Sequence, residues 1–551
     1  MLSGSRSRTG CYTCRLRKKK CDEQQPCCDN CSSRNLQCYG YDVPPPDWMQ
    51  GKRNWKEVMG TEEARRLRSI ADVQYKARRR YGQEELAEEA RGNPNCPQTG
   101  ELIISPVRRL SAPESLWWDG AFCTSLPTEN GPHEDARLVM LYLDFIFPIQ
   151  FGFCPMSTAA DHSWLMSGLC GNKARYHSAL SVSASFQASL CEPEKVDGKG
   201  LSLEVAERQA IASSDLRMII TRFNQQGHAT RDVARIGLQI LEVMHQMLSL
   251  EVFSMLEGTW QLHHRATLDL LDTIHTYRRP PDLCDQMETE SCLSPIEMAL
   301  KDFSSPDLQR TFEFHVTCVV WIDIIANATY GSPLHPRRHF DYVPYLHAND
   351  LKTHEVMGCH SSVMASVTEI TRLADWKAFQ LQSNSLDTEE LSARAASMAA
   401  RLRDQLLGLE QQCMLGMTEL EANSRLVTLQ FVCAAQVYLQ AIIFGADPAH
   451  PEITLLVNRN LQMLEALPEG LVIRANWAFT ITGCLAGETL YDRFRGMITR
   501  LVAQNWPLGM SWKGLMVMEE CWRLRESQHE LEADCDWKMA TKSLGKRVLL
   551  V

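Results

Sequence analysis

Six cysteines near the amino terminus are spaced Cys11-x2-Cys14-x6-Cys21 and Cys28-x2-Cys31-x6-Cys38, one CxxCx6C lobe written twice with six residues between the copies. No other feature of the 551-residue chain restricts its own folding so tightly. Residues 1–40 are small and polar and show no periodic apolar face, so buried hydrocarbon cannot hold them together. A structural zinc ion takes four tetrahedral ligands, with thiolates at about 2.3 Å. Six thiolates fill one such site with two left over, or fill two sites if two of them bridge. The error-free repeat favours two Zn2+ ions, and its symmetry makes the first cysteine of each lobe, Cys11 and Cys28, the bridging pair.

Competing frameworks fit less well. The first histidine in the sequence is His133, so no site with imidazole ligands can be built in the head. No apolar stretch opens the sequence in the manner of a signal peptide, so secretion is not expected and a disulfide framework has no oxidising compartment to form in. Cys27 adjoins Cys28, and using it would turn x2 into x3 and spoil the repeat, so it is read as a non-ligand. Of 21 cysteines, seven lie in the first 40 residues and the other 14 are scattered, so only the first group is a cluster.

Charge is as uneven as cysteine. The whole chain carries −10, yet residues 1–80 hold 18 Lys/Arg against 9 Asp/Glu, which is +9 and leaves −19 for the rest. Six thiolates and two Zn2+ sum to −2, and the cations Arg15, Arg17, Lys18, Lys19 and Lys20 lie between Cys14 and Cys21. If a short helix follows Cys11, those cations leave its C-terminal end on a loop pinned on both sides by metal. Such a rigid cationic knob suits phosphates and the guanine O6/N7 acceptors in the major groove of double-stranded DNA.

Pro44-Pro45-Pro46 marks a stiff spacer after the head. Residues 47–92 mix basic and acidic side chains, and their best heptad register, Leu67, Ile70, Gln74, Ala77, Tyr81, Glu84, fails at two of six positions, so a coiled coil is unsupported. From about residue 131 apolar residues recur three and four apart. Val233, Ile236, Ile240, Met244, Met247 and Leu248 make one face of a helix starting at Thr230. Asp387 and Glu390 resemble a capping box ahead of a stripe formed by Leu391, Ala395, Met398, Leu402, Leu406 and Leu409. Ser305-Pro306 opens a helix that Gly331 ends. About 420 residues exceed what one core usually holds, so stacked helical layers or two subdomains are expected. The most apolar stretch, Leu138 to Phe153, is broken by Asp144 and Pro148, so no membrane contact is expected.

No GxSxG, GxGxxG, P-loop or HExxH pattern occurs, so no residue is assigned a catalytic role. His354-Glu355 lacks the zincin partner, and His263 and His264 point apart on a helix. A helical enzyme or a protein-interaction module carrying a structural zinc head remains the alternative. A buried polar cluster lining a pocket in the helical body would be the sign of the enzyme.

The Cys11–Cys38 pattern, with its RLRKKK run, Asp22-Glu23 and Pro26, resembles the fungal Zn(2)-Cys(6) binuclear cluster transcription factors. YDVPPPDWM at 41–49, LYLDFIFPIQF at 141–151, Tyr176-His177-Ser-Ala-Leu and the closing GKRVLLV resemble the helical regulatory region of the acriflavine-sensitivity control protein type. The resemblance implies a nuclear regulator of RNA polymerase II genes, more often an activator, that docks on a CGG-type triplet. Positions matching Arg17 and Lys18 then lie nearest the bases, with the neighbouring cations on phosphates. It also implies contact with the transcription machinery and, in many members, homodimers on paired triplets. The absence of a coiled coil after the linker departs from better-known members. The expected architecture is mainly α: a zinc cluster domain at 1–40, a proline-containing charged linker at 41–130, and an all-helical regulatory domain at 131–551.

Overall fold

The computed structural model describes residues 10–16, 21–23, 28, 31, 38–39 and 58, and then 132–155, 159–191, 203–225, 230–253, 260–277, 294–301, 303, 305–331, 340–412, 416–503, 509–527, 535–545 and 548–551. The chain divides into two units, 1–107 and 108–551, each with its own internal contacts. The linker expected at 41–130 lies outside the described residues apart from Val58. Among the described residues all regular structure is helical, as the mainly α reading expects.

In the second unit the helix ends follow from local chemistry. Ser305 is extended at the N-cap of the Pro306–Tyr330 helix and its Oγ accepts the Leu308 N–H at 3.2 Å. Pro306 fills a first-turn position that has no use for an N–H, and Gly331 ends the helix at φ 81, where a Cβ would be strained. The Thr230–Phe253 helix buries the whole expected face from Val233 to Leu248. Asp387 caps the Thr388–Gln411 helix by accepting from the Glu389 and Glu390 N–H groups. The return bond of a capping box is not what Glu390 makes, since its carboxylate takes Arg394 one turn on. Reciprocal boxes occur instead at Thr418/Glu421 and Ser294/Glu297.

The Tyr142–Ile146 turn is π-helical, with the Phe147 N–H donating five residues back to Tyr142 O. Its place is physical: Pro148 follows, has no N–H, and its ring would press on the carbonyl four residues back, a conflict that a widened turn relieves.

The two largest hydrophobic clusters share the Thr230–Phe253 and Pro306–Tyr330 helices. The larger runs from Phe153 to Leu550, and the smaller gathers Leu138, Tyr142, Phe147, Phe151, Trp164 and Leu180 among others. The Pro306–Tyr330 helix gives Phe314 and Cys318 to the smaller core and Phe312, Val316, Val320 and Trp321 to the larger. A further small cluster gathers Ala174, Ala212, Val243 and Met247. That helix and Glu419–Phe444 are each long and apolar enough to cross a membrane, but 89% and 78% of their most apolar windows are buried in the protein. Arg474 ties distant parts of the chain: its Nη1 donates to Gln150 O at 2.6 Å, and its Nη2 donates to Ile149 O. Val548, Leu549 and Leu550 are also buried, and Tyr330 Oη donates to Val548 O.

Candidate metal centre

The first unit is built around sulfur. Tyr12–Leu16 forms one short helix that carries Cys14 and Arg15, with the Arg15 N–H donating to Cys11 O at 3.0 Å. Arg15, expected on the cationic loop beyond the helix, lies within it. Arg15 is exposed, its guanidinium 5.5 Å from the Tyr12 ring centroid. Arg17, Lys18, Lys19 and Lys20 lie outside the described residues, as does Cys27. Thr13 is buried, and its Oγ1 accepts the Tyr39 N–H at 3.1 Å, which fastens the chain just past Cys38 back onto the first lobe.

Cys11, Cys14, Cys21, Cys28 and Cys31 are buried and Cys38 is partly so. Cys11 Sγ lies 3.7 Å from both Cys28 Sγ and Cys31 Sγ, while Cys14 Sγ lies 3.6 Å from Cys28 Sγ and 3.8 Å from Cys31 Sγ. A disulfide would need about 2.05 Å, whereas the edge of a tetrahedron of thiolates at about 2.3 Å from zinc is about 3.8 Å. Two sets of four sulfurs each fall within 4.8 Å: Cys11, Cys14, Cys21, Cys28, and Cys11, Cys28, Cys31, Cys38. The sets overlap at Cys11 and Cys28, so eight coordination places come from six side chains.

The protons of this cage are frustrated. Hydrogen bonding, chiefly from Cys31, holds Cys14 down at about 5, whereas burial pushes Cys28 up to about 12. Burial likewise pushes Cys11 above the usual thiol range, and Cys31 is pushed up mainly by its bond to Cys14. The Cys14 N–H also donates to Cys11 Sγ at 3.3 Å. Six sulfurs this close cannot all ionise unless cations displace their protons, and divalent ions do so.

Sequence reasoning missed a second polar assembly, which lies inside the helical unit. Arg175 and Glu242, both buried, form an ion pair, and Asn172 Nδ2 donates to Glu242 Oε2 at 2.9 Å. Gly168 makes room for it, since a Cβ there would stand 1.7 Å from Arg175 Nη1. On the Thr230–Phe253 helix, Gln246 Nε2 donates to Tyr142 Oη at 2.6 Å, and His245 Nδ1 meets His315 Nδ1 at 2.9 Å. The partners are about 67 to 104 residues apart in sequence, so no local spacing signals them. His263 and His264 do point apart: His263 meets Glu251 at 3.2 Å, and His264 meets Asp323 at 3.2 Å.

Residues 9–47 match the fungal Zn(2)-Cys(6) binuclear cluster domain, which binds two zinc ions, and residues 137–551 match the fungal specific transcription factor domain. The chain is 24% identical to the ustiloxin B cluster transcription factor ustR of Aspergillus flavus, with all of both chains covered. It is 23% identical to transcription factor dibT of Pestalotiopsis microspora, over 96% of each chain. Identity is 24% to the trichothecene biosynthesis transcription regulator TRI10 of Trichoderma arundinaceum, over 76% of this chain and 98% of that one. No solved structure matches the chain.

Proposed function

This chain belongs to the fungal specific transcription factor family, and from that premise we propose that it is a nuclear regulator of RNA polymerase II genes, an activator of one biosynthetic pathway, that reads CGG-type triplets in double-stranded DNA. The observation that carries the reading is the overlap of the two four-sulfur sets at Cys11 and Cys28. Cys11, Cys14, Cys21 and Cys28 would hold one zinc, and Cys11, Cys28, Cys31 and Cys38 the other. Bound zinc supplies the folding free energy that a head of this size cannot draw from hydrocarbon.

The residues of the chain then do the reading. The Tyr12–Leu16 helix carries Arg15, the first cation of the basic run. In this reading Arg17 and Lys18 donate to guanine O6 and N7, while Arg15, Lys19 and Lys20 neutralise phosphates. The −19 on residues 81–551 disfavours the duplex there, while the +9 lies on residues 1–80. The domain boundaries follow the same division, with the cluster at 1–40, a linker at 41–130 and the regulatory body at 131–551. The body contacts the transcription machinery, and homodimers form where triplets are paired.

The full-length protein, loaded with zinc, should shift a CGG-containing duplex in a gel, lose that shift after chelation, and weaken steeply as salt rises. Equal retention of a duplex with the triplet scrambled would refute sequence reading. The names of the relatives, each a transcription factor or regulator and two of them tied to one product each, ustiloxin B and trichothecene, support a pathway-specific role over the enzyme alternative.

A further inference from the structure

Thr13 lies in the spacer between the first two cysteines of the cluster and belongs to neither four-sulfur set, yet it is fully buried. In the helical unit Thr317, Thr329 and Thr371 turn their hydroxyls back to donate to the carbonyl four residues earlier in their own helices. The Thr13 hydroxyl reaches much further. Its Oγ1 accepts the N–H of Tyr39, 26 residues on and directly after the last cysteine of the cluster.

The six cysteines are not equally secured. Cys11 and Cys28 belong to both sets, so either metal anchors them. Cys14, Cys21 and Cys31 are buried, whereas Cys38 is only partly so, and solvent can compete for its sulfur more readily than for the other five. Cys38 is also the last of the six, and beyond it the sequence runs on toward Pro44-Pro45-Pro46. A ligand at the end of its motif has metal-bound neighbours on one side only.

The Thr13 bond supplies the missing restraint. The Tyr39 N–H belongs to the planar peptide group that begins at the Cys38 Cα, so fixing it limits where Cys38 can aim its side chain. At the other end, Thr13 rides on the Tyr12–Leu16 helix, whose chain enters from Cys11. Cys11 and Cys38 are members of the same set, and the bond therefore ties one member to the backbone of another. Groups that orient a metal ligand without touching the metal are typically worth about 10- to 100-fold in metal affinity.

We infer that Thr13 is a positioning residue for the second zinc: through the Tyr39 N–H, its hydroxyl oxygen holds Cys38 in the set completed by Cys11, Cys28 and Cys31. The set of Cys11, Cys14, Cys21 and Cys28 does not use this bond. The inference rests on the two-zinc reading of the overlapping sets.

Full-length protein loaded with two zinc ions and challenged with rising EDTA in the presence of iodoacetamide tests it. Native mass spectrometry counts the zinc, and peptide mapping identifies the thiols that have been alkylated. Thr13→Val keeps the branched shape and removes the accepting oxygen, while Thr13→Ser keeps the oxygen and removes the methyl group. Thr13→Val should lose its first zinc at about tenfold less EDTA than the parent, with Cys31 and Cys38 alkylated while Cys14 and Cys21 stay protected. Thr13→Ser should hold both ions as the parent does. Release from Thr13→Val at the parent's EDTA concentration, or Thr13→Ser as weak as Thr13→Val, would overturn the inference. So would alkylation of Cys14 and Cys21 together with Cys31 and Cys38, or Thr13→Val protein that takes up no zinc, since either makes the residue a support of the whole head. A parent that binds fewer than two ions would sink the two-zinc reading and the inference with it, whereas a two-zinc parent with unresponsive variants sinks the positioning role alone.

Discussion

Substituting Gly168 by alanine should break the Arg175–Glu242 pair without touching either partner. The new Cβ would stand 1.7 Å from Arg175 Nη1 and 2.9 Å from Glu242 Oε1, an overlap too deep for a small shift to relieve. The guanidinium must leave, and Glu242 is left with Asn172 alone. Breaking a buried ion pair from one side costs about 3–5 kcal/mol, and alanine in place of glycine in a helix returns about 1, so the net loss is about 2–4 kcal/mol. With an unfolding entropy of about 2.1 cal/mol/K per residue over roughly 420 residues, the melting temperature should fall by about 2–5 °C. Burial already raises the Glu242 carboxyl above its ordinary value, and Arg175 opposes that rise. A carboxyl raised in the folded state favours folding at low pH and loses that contribution as pH climbs through its folded value. Without Arg175 the carboxyl rises further, so the deficit should be largest near neutrality and shrink toward pH 5. Scanning calorimetry of the zinc-saturated full-length protein at both pH values measures this, and Gly168→Ala/Glu242→Gln should recover part of the loss at neutral pH. A melting temperature within about 1 °C of the parent at neutral pH, or a deficit that ignores pH, would refute the steric and electrostatic reasoning.

Cys11→Ser or Cys28→Ser should remove both zinc ions by native mass spectrometry, whereas Cys38→Ser should spare the site that does not use it; loss of one ion from Cys11→Ser would refute the bridged arrangement. Lys18→Ala should weaken CGG binding by about 1–3 kcal/mol with zinc content unchanged, and an equal loss on random DNA would demote the side chain to a phosphate contact. His245 and His315 are depressed by burial, so their neutral forms favour the fold above the ordinary imidazole range and that contribution is lost as pH falls from about 6.5 toward about 3. His245→Phe should therefore flatten the acid side of the stability profile, and an unchanged acid limb in thermal melts would contradict it.

What the sequence made legible is what its physics keeps local. The repeat of Cys11 to Cys38 determined the overlap at Cys11 and Cys28 because metal geometry leaves few solutions for six thiolates. The helix between Ser305 and Gly331 was readable because cap, proline and glycine act within a turn of one another. Asp387 was legible as a cap, but Glu390 had Arg394 within reach on its own helix and took it. Arg175, Glu242, His245 and His315 gave no signal, because each pair is made by helices whose approach is decided by packing. The two cores were likewise hidden: nothing in the order of apolar residues says that Phe314 and Phe312 face different interiors.

The bonds from Arg474 to the carbonyls of Ile149 and Gln150 span about 324 residues, and this has a temporal consequence. At ribosomal rates of about 5–20 residues per second, the early helices emerge some 16–65 seconds before the side chain that fastens them. Throughout that interval Phe147, Phe151 and Trp164 are without their partner Phe314 for much of the time and without their clasp for all of it. Nascent chains of this regulator should accordingly lean on chaperones during synthesis, and slowing translation should lengthen that dependence.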